Sequence, residues 1–252
     1  MMEEQYRQAK EMAERFAAEA GVPLFYLEGE KAVEKSRGLL TSEAMVREAV
    51  RIISDQDDPI GHGLLHVQKV AVDAGAIILM EGARTWDEGD LQRVILLVHL
   101  AGILHDIRRT ERQHAHRGAE EAERILGAFA LSDGERQAVT RAIRNHEAFQ
   151  PHEELEDQAA RLISNALYDA DKFRWGPDNF TETLWAMLLP RRIPLKVVLP
   201  RFLQGLDSLR RIRETFRTET GRRYGPDFID RGLLIGRNLY DALMERNNPE
   251  NP

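Results

Sequence analysis

The sequence predicts an all-α protein. Apolar residues recur at the helical period almost throughout, and no alternating strand pattern persists. Glycine and proline fall mainly between the periodic stretches, and Ser132-Asp133-Gly134-Glu135 is a capping box opening one of them. A first helix over about 3–20 stops at Gly21-Val22-Pro23, a glycine stop followed by a proline that cannot continue it. A second spans about 42–54 and gives way to the polar turn SDQDDPIG. The third begins near His62 and places His66, Val70, Ala74 and Ile77 on one stripe facing the core.

The segment EGARTWDEGD at 81–90 is a loop before a greasy helix that ends in LVHLAGILHDIRR at 97–109. RQHAHRGAEEAERILGAFA opens a further helix that stops at Gly127, and the capping box places QAVTRAIRNHE on a helix ending near His146. After the loop FQPHEELED, a helix over about 156–172 ends in ALYDADKF. Beyond Trp175-Gly176-Pro177, helices are expected near 178–188, 196–219 and 227–246, with Pro190, Pro194, Pro200 and Pro226 as punctuation. Trp175, Phe180 and Trp185 follow at helix-like spacing and read as core packing rather than as stacking surfaces.

A chain of 252 residues suits one large domain or a domain with an appendage. Cysteine is absent, which removes disulfides and thiolate metal sites and fits a reducing cytosol. Any metal must be held by His, Asp and Glu, favouring Mn, Fe, Mg, Co, Ni or a catalytic Zn. The opening MMEEQYRQAKEMAERF has no apolar run of the signal-peptide kind, so a cytoplasmic location is expected. The longest greasy run, VILLVHLAGIL at 94–104, is short for a membrane span, which needs roughly 18 apolar residues, and no membrane association is expected. A net charge of −7 argues against a nucleic-acid polymer as partner. Arg108, Arg109, Arg112, His114, His116 and Arg117 nevertheless make a local basic rim, which suggests a small anionic substrate. Each arginine reads equally well as a charge complementing a helix end.

His105-Asp106 is the most informative pair in the chain. A carboxylate buried at the end of an apolar helix costs several kcal/mol without a partner, and a divalent cation is the natural one. His66, His114, His146 and Asp171 lie on other helices or at their ends, and a bundle can point such side chains inward at one ion. Adjacent residues point about 100° apart on a helix, so an ion shared by His105 and Asp106 must lie beside it, leaving the Asp free to bridge to a second. His99 lies seven residues before Asp106 and roughly 10 Å along the axis, as a core or ligand-orienting residue. His62 precedes the third helix, and His152 sits in an acidic loop that reads as surface.

In the order and spacing of these residues the chain resembles the HD superfamily of metal-dependent phosphohydrolases. The likeness covers roughly residues 55–175, in HVQKV at 66–70, GILHDI at 102–107 and YDADK at 168–172, with HAHRGAEEAERIL at 114–126 and AIRNHE at 142–147 similar to the stretches of the two-metal branches. The resemblance implies an HD-domain helical bundle over 56–175, N-terminal helices over 1–55 packed on it, and a helical extension or subdomain over 176–252. It implies His66, His105, Asp106 and Asp171 as ligands of one ion, with His114 and His146 completing a second site bridged by Asp106. Asp169 and His116 remain alternatives to Asp171 and His114. Ile107-Arg108-Arg109 stands where the stringent-response branch has an acidic pair, and the Gly-Tyr-Pro signature of the cyclic-dinucleotide branch is missing.

The implied activity is hydrolysis of a phosphate ester or anhydride, of a nucleotide or related small molecule, with one or two divalent ions activating water. Asp106, His116 and Lys172 then carry the chemistry, His116 or His62 protonating the leaving oxygen. Arg108, Arg109 and Lys172 bind the phosphorylated substrate. The competing expectations are a diiron oxygenase on the same ligands and a noncatalytic, metal-stabilised regulatory module.

Overall fold

A computed structural model describes residues 2–54, 63–83 and 85–246. Among the described residues all regular structure is helical: α1 (Met2–Ala20), α2 (Leu24–Glu28), α3 (Glu30–Ser42), α4 (Ala44–Ser54), α5 (Gly63–Gly82), α6 (Glu88–Leu104), α7 (His114–Leu126), α8 (Asp133–Arg144), α9 (Gln158–Phe173), a π-helical turn (Asn179–Thr183), α10 (Leu184–Leu188), α11 (Leu195–Ile212) and α12 (Glu219–Arg246). The fold class is therefore all-α, as read from the sequence. The polar turn 55–62, including His62, lies outside the described residues.

Helices α5 and α6 form the centre, buried almost all round. They touch at Gly102, where a Cβ would stand 2.6 Å from the Ala71 Cα. Only glycine lets the two backbones come this close, and the contact sets the spacing between His66 on α5 and His105 at the end of α6. By length and composition α5 is apolar enough to cross a membrane, a property the sequence reading had not picked out. Here it packs between α3, α6 and α9 as a core helix.

The sequence reading had no helix between residues 23 and 42, where α2 and α3 lie. Glu30–Ser42 is mostly charged and buries only Val33, Ser36 and Leu40, too narrow a stripe to register as a pattern. The C-terminal boundaries also differ. The helix expected over 196–219 stops at Ile212, because the backbone N–H groups of Arg217 and Thr218 turn back to donate to Asp169, both at 2.8 Å. The one expected from 227 starts at Glu219 and runs through Pro226, since Tyr224 and Phe228 on either side pack against Phe25. Phe228 also stacks on Phe173 at 4.3 Å, so α12 and the described residues beyond 176 share one core with the helices before them. Phe180 and Trp185 belong to that core as expected.

Two buried polar groups tie the layers together. Arg174 pairs with Asp73 of α5 and Asp178, and donates to the Tyr26 hydroxyl of α2 at 2.6 Å. His99 is fully buried in α6 with its Nε2 2.9 Å from Ser36 Oγ, which itself donates to the Val72 carbonyl, so the ring donates to the serine.

Gly102→Ala is expected to lower stability by about 1–3 kcal/mol in urea unfolding, the usual cost of overpacking. Burial pushes His99 down to about 3, from an ordinary 6.5. The unfolded chain therefore takes up a proton that the folded chain refuses, so stability is full above 6.5 and falls toward pH 3, by up to about 1.4 kcal/mol per pH unit. His99→Gln should flatten that part of the stability profile, and an unchanged acid limb would contradict the assignment.

Candidate metal centre

Helix ends build the site. His66 is in the first turn of α5, His105 caps the C-terminus of α6, and Asp106 follows in the turn beyond. His114 opens α7 after Gln113, whose backbone is left-handed at φ 57°, and His146 lies two residues past the end of α8. Asp171 sits in the last turn of α9. The last carbonyls of a helix have no intrahelical partner, and two histidines use them. His105 Nδ1 lies 2.8 Å from the Gly102 carbonyl and His146 Nδ1 2.6 Å from that of Ile143. A ring nitrogen that donates its proton outward leaves the other as a lone pair, and here Nε2 faces the centre.

Asp106 stands between two groups of nitrogens. Its Oδ2 is 3.5 Å from His105 Nε2 and 3.7 Å from His66 Nε2, while its Oδ1 is 3.6 Å from His146 Nε2 and 3.9 Å from His114 Nε2. Asp171 Oδ1 closes the first group, 3.5 Å from His66 and 3.7 Å from His105. Ligands about 2.1 Å from one ion stand about 3.4 Å apart at the tetrahedral angle, so these edges match a shared cation. Two overlapping sets, His66–His105–Asp171 and His105–Asp106–His146, are each compact enough to hold a metal ion.

The buried Nε2 atoms of His105 and His146 and Oδ1 of Asp106 have no hydrogen-bond partner among the described residues. An orphaned buried polar atom costs about 1–3 kcal/mol, and one cation between them would satisfy several at once. The donor set therefore fits a divalent metal.

The electrostatics point the same way. Burial raises the Asp106 carboxyl, but His105, His146 and Arg109 outweigh it and hold the group well below the usual carboxylate range. Asp171 behaves alike, its burial outweighed first by Lys172 and then by His105 and His66. For His105, burial lowers the ring and the charges of Asp106 and Asp171 more than restore it, leaving it raised. His114 is lowered by burial and by His146 beside it.

All six residues named from the sequence as ligands converge, and both alternatives separate. Asp169, two residues before Asp171, turns to the α11–α12 junction and accepts from Thr218 Oγ1 at 2.7 Å besides the two backbone donors. Burial pushes it up to about 6, partly offset by those hydrogen bonds. His116 follows His114 by roughly 200° around α7 and is exposed. Gly118, four residues after His114, lies against the His105 carbonyl, where a Cβ would come to 3.1 Å.

Next to the ligands lies a cavity of about 380 Å³, within the ordinary size range of small-molecule sites. Arg109 and Lys172 line it. Two expectations need correction. Arg108 pairs with Glu121 and Glu111 outside the cavity wall, because its side chain runs along α7. His116 does not reach the cavity either, so the proton-donor role read from the sequence does not fall to it. Trp175, read as core, forms part of the wall with Lys172 against its ring. Asn179, Thr183 and Met187 complete that side from the segment after 175.

Sequence reasoning missed Glu147 and Phe149, on the opposite wall. Glu147 had a signal, an acidic residue directly after a ligand histidine. Phe149 had none, since its left-handed backbone at φ 63° is set by tertiary structure. Comparison with protein-family models, with characterised proteins and with solved structures gives no match.

Mn²⁺ or Zn²⁺ added to chelator-treated protein should raise its melting temperature, by about 2.7 kcal/mol of stabilisation at 100 times the dissociation constant. Asp106→Ala should remove both the shift and the metal measured by elemental analysis; retained metal would show that these residues are not the centre.

Proposed function

We propose that the protein is a metal-dependent phosphohydrolase of the HD type, cleaving an ester or anhydride bond in a small phosphorylated molecule such as a nucleotide. The observation that carries this reading is the division of the Asp106 oxygens between two nitrogen groups beside a cavity whose lining includes Arg109 and Lys172. In this reading Asp106, with His66, His105 and Asp171, holds one divalent ion, and with His114 and His146 a second. Bound there, such ions lower the pKa of water and polarise a phosphoryl oxygen.

The chain's own residues do the rest. Arg109 stands 3.7 Å from Asp106 in the cavity lining, where its guanidinium can oppose phosphoryl oxygens. Lys172 is buried against Asp171 with its ammonium over the rings of Tyr168 and Trp175. That environment fixes a positive charge beside the ligands. Trp175, Phe149 and Met187 offer an apolar surface to the organic part of a substrate, and Asn179 and Thr183 offer hydrogen bonds.

Arg109 and Lys172 in the cavity lining favour an anionic ester over the oxidative chemistry that the same donor set can support. The test is turnover of a generic phosphodiester and a nucleotide panel by protein loaded with Mn, Co, Ni, Fe, Mg or Zn. Metal-dependent release of product is expected, falling at least 100-fold in Asp106→Ala, with a raised KM in Arg109→Ala. Oxygen consumption coupled to substrate loss without ester cleavage would overturn the hydrolase reading in favour of an oxygenase.

A further inference from the structure

His105 and His146 direct their Nδ1 atoms at a carbonyl three residues earlier, at the end of their own helix. His114 lacks that option. It opens α7 instead of closing a helix, and among the described residues no backbone carbonyl is hydrogen-bonded to its ring. Its Nε2 faces Asp106 Oδ1 and lies 3.2 Å from Arg109 Nη1. A guanidinium can only donate, so Nε2 carries the lone pair and the proton of the neutral ring is on Nδ1. That nitrogen faces Glu147 Oε2 at 3.9 Å. Among the described residues no other cationic group stands within ion-pair distance of Glu147.

We infer that Glu147 is the positioning residue of His114, the carboxylate partner that fixes its tautomer and supports the ion on the His114–His146 side of Asp106. The inference rests on the metal-centre reading above. A contact of 3.9 Å is too long for a hydrogen bond, and a side-chain movement of about 1 Å brings Oε2 into range of Nδ1, a tightening that ligand sites commonly undergo on filling. The carboxylate does more than a carbonyl would. It adds a negative charge that makes the imidazole a stronger donor, and partners of this kind change metal affinity by about 10–100-fold when removed. The two sides of Asp106 thereby differ: neutral carbonyls orient His105 and His146, whereas His114 depends on a charge.

The experiment is calorimetric titration of chelator-stripped full-length protein with Mn²⁺, paired with visible spectra of the Co²⁺-loaded form. Wild type, Glu147→Ala, Glu147→Gln and His114→Ala are compared. Expected are two ions in the wild type, a 10–100-fold weakening of one of them in Glu147→Ala, a smaller loss in Glu147→Gln, and loss of that same ion in His114→Ala. The other ion and the melting temperature of the stripped protein should not change, because Glu147 is partly exposed and its one ion pair among the described residues is with His114. Two ions bound at wild-type affinity in Glu147→Ala would overturn the role of Glu147 and leave the metal centre standing. Equal weakening of both ions, or a lower melting temperature of the stripped protein, would overturn it as well. A wild type that takes up one ion removes the basis of the inference, and one that takes up none removes the metal centre with it.

Discussion

A carboxylate that has lost its water governs this structure. The Asp106 side chain is 5% exposed and faces four imidazole nitrogens within 4 Å, with no hydrogen bond to Oδ1. Such a group is tolerable only if positive charge reaches it from several directions at once. Arg109 supplies some of that charge, and the surrounding rings present lone pairs that invite more. Much of the rest of the fold serves to hold those four rings and Asp171 on five separate segments around one point.

The means are mostly helix ends. A histidine in the middle of a helix has no carbonyl free to orient it, whereas His105 and His146 lie where the last carbonyls have no partner along the helix. The polar cost of ending a helix inside the protein is thus offset by the same atoms that aim the ligands. The cost of gathering the ends falls on packing, which appears in the backbone contact at Gly102 and in the approach of Gly118 to the His105 carbonyl. Asp169 and Arg174, before and after Asp171 at the end of α9, fasten that end to different neighbours, one to the α11–α12 junction and the other to α5 and α2.

The helical class and the ligand cluster were legible in the sequence because both leave periodic or chemically unusual marks. His105-Asp106 inside an apolar run is an anomaly at any level of description, whereas the choice of Asp171 over Asp169 and of His114 over His116 stayed open until the fold placed Asp169 at the α11–α12 junction and left His116 exposed. The cavity wall was harder to read. Trp175 looks like any aromatic after a helix, and only the fold shows that it packs against the core and lines the cavity as well. Arg108 and Arg109 are neighbours of equal charge, and which one faces the ligands depends on where α7 places Glu121. Helix α3 escaped notice because its buried face is three residues wide, and α12 runs through Pro226 because tertiary packing outweighs the local penalty.

The candidate ligands and one side of the cavity wall come from different parts of the chain. The six ligands lie between residues 66 and 171, while Asn179, Thr183 and Met187 belong to a π-helical turn and a short helix that supply no ligand. A π-helical turn is a local irregularity in helical backbone of a kind often found at functional sites. The segment from 179 to 187 can therefore change the shape of that side of the cavity while the residues that gather charge around Asp106 stay as they are.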